Sequence, residues 1–306
     1  MSFLRQFVKR PAGMFGALML ALVVGMAVFA PLIAPYNPYE RVRATPDEIL
    51  APPNEAHLLG TDDAGKDVWS QLLYGAQVSL LVGFTASIAS MIIGSTIGLI
   101  AGYYGERVDN LLMRLVDFLL VVPYLPLVLV IVSVWGRGLW KIIFVIAILG
   151  WTYTARLVRA QTLAVKGRAY VTRARAVGAR DRRIILRHIL PQVMPLIIAQ
   201  TVLDISATIL AEASLSFLGL GDPTLISWGN MLHFAFERAI SSEAWWFLLP
   251  PGIAILWVSL SLILIGMSVE EIVNPRVKTH HLFAPHRMIA AAVGLRPAPE
   301  STVEEP

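Results

Sequence analysis

Six stretches of this 306-residue chain are long and apolar enough to cross a bilayer, and they leave little room for any other kind of fold. A hydrocarbon core of ~30 Å needs about 20 mostly apolar helical residues to span it. Such stretches run at 12–34, 78–102, 111–135, 139–158, 189–217 and 246–268. Hydrophobic residues make up 56% of the chain and charged residues 15%, against roughly 45–50% and about 25% in a soluble domain. So much apolar side chain cannot hide in one water-soluble core. Disordered and collagen-like classes are excluded, and an ordinary cytosolic enzyme is disfavoured. Cysteine is absent, so there is no disulfide framework, thiolate metal site or cysteine nucleophile.

Arg5, Lys9 and Arg10 precede the first stretch as the basic region of a signal peptide would. Its apolar run exceeds the roughly 7–15 residues of such a peptide, however, and Phe29-Ala30-Pro31 offers no A-x-A exit. An uncleaved first helix is expected. Lys and Arg then set the orientation. With the N-terminus inside, the four inner segments and adjoining turns hold 19 of the 25 basic residues, and the outer connections hold 6. The link between spans four and five, with its adjoining turn, carries 10 of them. N-in, C-in follows. Trp135, Trp140, Trp245 and Trp246 fall at the outer edge on this layout, as an aromatic belt does. Pro123, Pro126 and Pro195 each remove a backbone donor inside a span and predict kinks facing the bundle interior.

The outer connection, 35–77, is the longest polar segment, Pro-rich at first and acidic throughout. Within it Gly60 to Lys66 fits the opening of a phosphate-cradling loop, G-x-x-x-x-G-K. That reading fails: Asp67 stands where a Ser or Thr would hold Mg²⁺, and Asp62 and Asp63 would repel phosphate.

The cytoplasmic link is more informative. Tyr170, Val171, Ala174 and Val177 recur at i, i+1, i+4 and i+7, one apolar stripe on a short helix. Gly178 sits where the stripe ends, able to take φ > 0 and reverse the chain. Taken alone, this is equally a basic amphipathic segment resting on anionic headgroups. The arginines around it serve first as positive-inside determinants.

From Tyr170 to Pro191 the link resembles the coupling motif E-A-A-x3-G-x9-I-x-L-P of binding-protein-dependent ABC importer permeases. Ala174, Gly178, Leu190 and Pro191 are in register, whereas Thr172, Arg173 and His188 depart from it. Further strings are similar to the dipeptide/oligopeptide/nickel permeases, C-type subunit: HLLGTDDAGKDV (57–68), LYGAQVSLLVG (73–83), AGYYG (101–105), MRLVD (113–117), AEASLSFLGLG (211–221) and SWGNM (227–231). The resemblance implies an all-α type I ABC importer permease fold in a bacterial or archaeal plasma membrane. It implies a second homologous permease, two cytoplasmic ATPase subunits that carry ATP and Mg²⁺, and an extracytoplasmic solute-binding protein. No cofactor is expected on this chain, and no nucleic-acid partner. The implied coupling residues are Tyr170, Val171, Ala174, Val177, Gly178, Leu190 and Pro191.

Two acids lie in the fifth span. At 1.5 Å per residue from Pro191, Asp204 is ~20 Å along, near mid-bilayer, and Glu212 is ~32 Å along, near the outer edge. An acid at a span centre costs ~2.5–3.5 kcal/mol to insert, so Asp204 should face the bundle interior, lining a pathway or paired with a neighbour. Glu212 is read as gate or interface structure. Arg114 and Asp117 are an expected i, i+3 pair. His57 and His233 are isolated and nominate no metal site. The expected organisation is 1–77 as first span and outer loop, 78–275 as a five-helix core with its coupling segment at about 166–186, and 276–306 as a disordered cytoplasmic tail. Di- or oligopeptide is the implied cargo, with nickel or another small solute as the alternative. An ion-coupled secondary transporter would need duplicated halves, and a membrane hydrolase a nucleophile beside a base; neither pattern is found.

Overall fold

The computed structural model describes residues 3–40, 44–242 and 244–273; the tail expected at 276–306 lies outside them. A short helix α1 (Phe3–Val8) leads into α2 (Pro11–Val28), and a one-turn α3 (Ala30–Ile33) follows a break at Phe29. The remaining helices are α4 (Val68–Tyr104), α5 (Glu106–Val121), α6 (Tyr124–Trp135), α7 (Leu139–Lys166), α8 (Ala169–Ala176), α9 (Asp181–Ile184), α10 (Leu190–Phe217), α11 (Trp228–Ser242) and α12 (Trp245–Val273). A π turn, Ile185–Ile189, joins α9 to α10. Five of these helical segments are each long and apolar enough to cross a membrane.

The third span departs from expectation. Instead of one kinked helix over 111–135, α5 and α6 meet at an 86° bend. Val122 and Pro123 are both extended at the break. Pro123 forces this, because a residue before proline avoids the helical region and proline supplies no donor. With 12 residues, α6 is only ~18 Å long, short of the bilayer core.

What brings α4 and α7 together is a row of small residues. Gly94, Gly98 and Gly102 recur every four residues and face Trp151, Ala155, Arg159 and Thr162 of α7. A Cβ on Gly98 would lie 2.5 Å from the Ala155 carbonyl oxygen, and one on Gly94 2.6 Å from that of Trp151. In lipid no hydrophobic force draws helices together, so close backbone approach supplies the dispersion contact that does. The buried faces of α4, α10, α11 and α12 share a second core, with Ile209, Trp228, Phe247 and Leu262 almost fully enclosed.

Two Arg–Asp pairs bind α5 to α7. Arg159 grips Asp109 with both its Nε and Nη2 groups, and Arg156 Nη2 lies 2.5 Å from Asp117. Asp117 therefore takes its partner from α7, not from Arg114 on its own helix. The two pairs differ in burial: side-chain exposure is 33% and 12% for Arg159 and Asp109, but 51% and 58% for Arg156 and Asp117. A double-mutant cycle on thermal stability should give a coupling of ~2 kcal/mol for Asp109–Arg159 and below ~1 kcal/mol for the exposed pair. Equal couplings would mean that burial does not separate them.

α4 begins ten residues before the expected 78, so a boundary at residue 77 falls within it. Asp67 is its N-cap, accepting from the Ser70 N–H at 2.7 Å and the Ser70 hydroxyl at 2.6 Å, with His57 Nδ1 at 3.0 Å. The Gly60–Lys66 loop is closed upon itself. Asp62 accepts from the Ala64 and Lys66 N–H groups, both at 2.8 Å, and from Gln71 Nε2 at 2.7 Å. The amides a phosphate would need are thus taken by the chain's own carboxylate, whose buried position pushes its pKa up despite these donors. Asn230, Met231 and Phe234 of α11, a helix that apolar length alone does not reveal, line one pocket with Asp62, Ala64 and Lys66 of this loop.

Candidate functional site

The link between the fourth and fifth spans is built as a short arm held at its root and free at its tip. After α7 ends at Lys166 the chain extends through Arg168 and enters α8. This arm closes on Gly178 at φ 81°. The Gly178 N–H donates to Arg175 O at 3.0 Å and the Ala179 N–H to Ala174 O at 3.1 Å. These are the two bonds of a Schellman turn, in which a left-handed glycine lets the last carbonyls find donors. A Cβ at Gly178 would meet nothing within 4 Å, so the demand for glycine here is one of backbone angle and not of space.

The stripe expected on this helix divides. Val171 is 1% exposed and packs with Tyr103, Val165, Ile184 and Ile189 of its own chain. Val177 is 88% exposed and Tyr170 38%, while Ala174 is half-buried. One apolar residue therefore roots the arm and another leads its tip. The root is reinforced from the C-terminal end of α4: the Tyr103 hydroxyl donates to Asp181 at 2.5 Å. The Arg175 guanidinium lies 5.4 Å from the Tyr103 ring centroid and Lys166 Nζ 5.8 Å, within cation–π range. Tyr103 and Asp181 are 78 residues apart, and no local pattern announces their meeting.

Leu190 and Pro191 lie at the first turn of α10, beyond the arm. The Leu190 N–H bonds back five residues to Ile185 O, closing the π turn. Pro191 has no N–H to offer the carbonyl four residues before it, and the widened turn falls where that donor is missing. Leu190 packs on the cluster that holds Val171, so motif residues on both sides of the turn converge on one root.

Higher in α10, Asp204 is half-buried and accepts from Gln200 Nε2 at 3.0 Å and Thr154 Oγ1 of α7 at 3.3 Å. Its partners are thus a neighbour one turn away and one adjacent helix. Glu212 is 2% exposed. It accepts from the Ser216 hydroxyl at 2.7 Å and the Ser79 hydroxyl of α4 at 3.3 Å, and Ser79 accepts the Trp228 N–H at 3.2 Å. Gly229 lets α11 approach: a Cβ there would lie 2.7 Å from Ala213 backbone atoms. Glu212 is therefore the knot of α4, α10 and α11. His233 Nδ1 lies 2.9 Å from Phe217 O, so His57 and His233 both have structural partners.

Comparison with known proteins gives two family matches. Residues 94–279 match the binding-protein-dependent transport system inner membrane component. Residues 2–53 match the N-terminal TM domain of oligopeptide transport permease C. The chain is 38% identical over 283 residues to the di/tripeptide transport system permease protein DppC of Pseudomonas aeruginosa, covering 90% of this chain and 92% of that one. It is 35% identical over 275 residues to the dipeptide transport system permease protein DppC of Bacillus subtilis, covering 90% and 85%. The glutathione transport system permease protein GsiD of Pectobacterium atrosepticum is 36% identical over 279 residues, with 90% of each chain covered.

Proposed function

The chain belongs to the family of binding-protein-dependent transport system inner membrane components, and from that premise we propose that it forms half of the pathway of an ATP-driven importer of small peptides. It is a multi-pass membrane permease subunit, and its relatives are named as transport components rather than enzymes. The finer reading concerns how it is driven. Closure of two cytoplasmic ATPase subunits, which bind ATP and Mg²⁺, moves α8, and α8 moves the helices to which it is rooted. A second, homologous permease supplies the other half of the pathway, and a solute-binding protein delivers cargo from outside. Peptide is favoured over nickel because the similar proteins are named for di/tripeptide, dipeptide and glutathione transport.

The observation that carries this reading is the arm itself. A lever must be stiff, anchored at one end and exposed at the other. Val171, Leu190 and the Tyr103–Asp181 bond anchor it, while Val177 stands 88% exposed at its tip. The excess of basic residues on the inner segments supports placing this tip in the cytoplasm. The absence of cysteine makes a direct test available. A single Val177→Cys thiol should cross-link to a co-expressed ATPase subunit of the same operon, and an Ala34→Cys thiol on the opposite side should not. Cross-linking from Ala34 alone would place the ATPase on the wrong side for this mechanism.

A further inference from the structure

Between the inner halves of α4 and α10 runs an open apolar groove of about 500 Å³. One wall is Ile92, Leu99 and Ile100 of α4, and the other is Leu186, Met194 and Ile198 of the π turn and α10. On α4 its lining runs from Ile88 to Ile100, a length of ~18 Å at 1.5 Å per residue. That is close to one leaflet, half of the ~30 Å hydrocarbon core.

The ends of the groove are unlike. Arg182 and Arg183 precede Ile185, the first lining residue on this wall, by three and two residues, and Arg187 stands between the lining residues Leu186 and Leu190, so the three cluster at this end of the groove. All three are exposed, and none forms an ion pair among the described residues. Tyr104, four residues after Ile100, is 51% exposed at the same end, where an amphipathic ring suits the headgroup level. A larger apolar groove, about 660 Å³, lies between α10 and α12; the linings of both grooves are free of charge.

We propose that the α4–α10 groove holds one acyl chain of an anionic phospholipid of the inner leaflet, whose phosphate lies against Arg182, Arg183 and Arg187. Apolar length and unpaired positive charge are each ordinary on a membrane protein. Their juxtaposition, one leaflet deep with the charge at the cytoplasmic end, matches the two parts of such a lipid, whose net negative charge a zwitterionic one lacks. Basic pockets between spanning helices on the cytoplasmic side bind acidic headgroups in this way. Since α8 is rooted on α9 and the π turn, a lipid seated here would brace the base of the arm. The inference rests on the N-in orientation of the proposed function.

The test is a titration of the full chain in neutral detergent, read by native mass spectrometry, with phosphatidylglycerol and phosphatidylcholine of identical acyl chains. Each arginine contributes roughly fivefold, so three should favour phosphatidylglycerol by about a hundredfold. The triple variant Arg182→Gln, Arg183→Gln, Arg187→Gln should bring both lipids to the same weak retention. Because those residues also steer insertion, a second variant keeps them: Thr96→Trp fills the groove and should displace the lipid. Equal retention of the two lipids by the parent chain would overturn the proposal, as would phosphatidylglycerol retention unchanged by Thr96→Trp. So would a Thr96→Cys thiol that cross-links to the second permease in the assembled complex, since protein would then fill the groove. Orientation is read separately, by labelling an Arg182→Cys thiol in intact cells. Labelling from outside would contradict the orientation, and with it the inner-leaflet assignment, whatever the lipid titration gives.

Discussion

Gly98→Leu should leave almost no folded chain after mild detergent extraction. The Cβ would lie 2.5 Å from the Ala155 carbonyl oxygen, 2.8 Å from Val158 Cβ and 2.9 Å from the Arg159 N–H nitrogen. Two of these are backbone atoms of a helix and cannot turn aside, so α4 and α7 must separate. Overpacking a tight interface costs ~1–3 kcal/mol. The upper end applies here, because separation also strips the contacts of Gly94 and Gly102 along the same row. About 2.8 kcal/mol is a hundredfold in the folding equilibrium. Gly25→Leu is the matching control, since a Cβ there meets nothing within 4 Å. Size-exclusion chromatography of the two variants should give an aggregated Gly98→Leu and a normal Gly25→Leu. A monodisperse Gly98→Leu would mean that the glycine row does not set the α4–α7 distance.

Val177→Asp should abolish transport while leaving the permease folded. Val177 makes little contact within its own chain at 88% exposure, so the change costs the isolated subunit within about 0.5 kcal/mol. At a protein interface the same change buries a charge without a partner, which costs several kcal/mol. Uptake should therefore fall at least a hundredfold, with expression and thermal stability unchanged. Gly178 offers a complementary pair of variants. Gly178→Asn should retain most transport, because asparagine tolerates the left-handed angle. Gly178→Val should lose it, because a β-branched residue does not. Transport at the parental rate in both Val177→Asp and Gly178→Val would remove the arm from the coupling mechanism.

Much of this architecture is legible from residue order because apolar length is a coarse and robust signal. The spans at 139–158, 189–217 and 246–268 each fall within or nearly within one helix. The start of α4 is not legible by that measure, since Ser70, Gln71 and Gln77 dilute its first turns. Asp67 with Ser70 three residues on is nonetheless a recognisable helix start. Pro123 and Pro126 announce a disturbance in the third span but not a bend of 86°, because the angle depends on how α5 is drawn onto α7. The pairs that draw it, Asp109–Arg159 and Asp117–Arg156, join residues 50 and 39 positions apart. Hydropathy periodicity carries no information on such pairs.

The apolar stripe on α8 shows a different limit. Periodicity identifies which residues share a helix face, but not that one flank of that face is claimed by the chain itself. Val171 and Val177 are six residues apart, nearly opposite in burial, and only the positions of Tyr103 and Ile184 decide which is which. The glycine row at 94, 98 and 102 is plainly periodic in the sequence. Its meaning depends on α7 lying against it.

The most direct test of the central claim is uptake of a labelled dipeptide into liposomes holding this chain with its neighbouring permease and ATPase subunits, with binding protein and ATP varied independently. The account predicts accumulation only when both are present. Accumulation that persists without ATP and follows an ion gradient instead would contradict it.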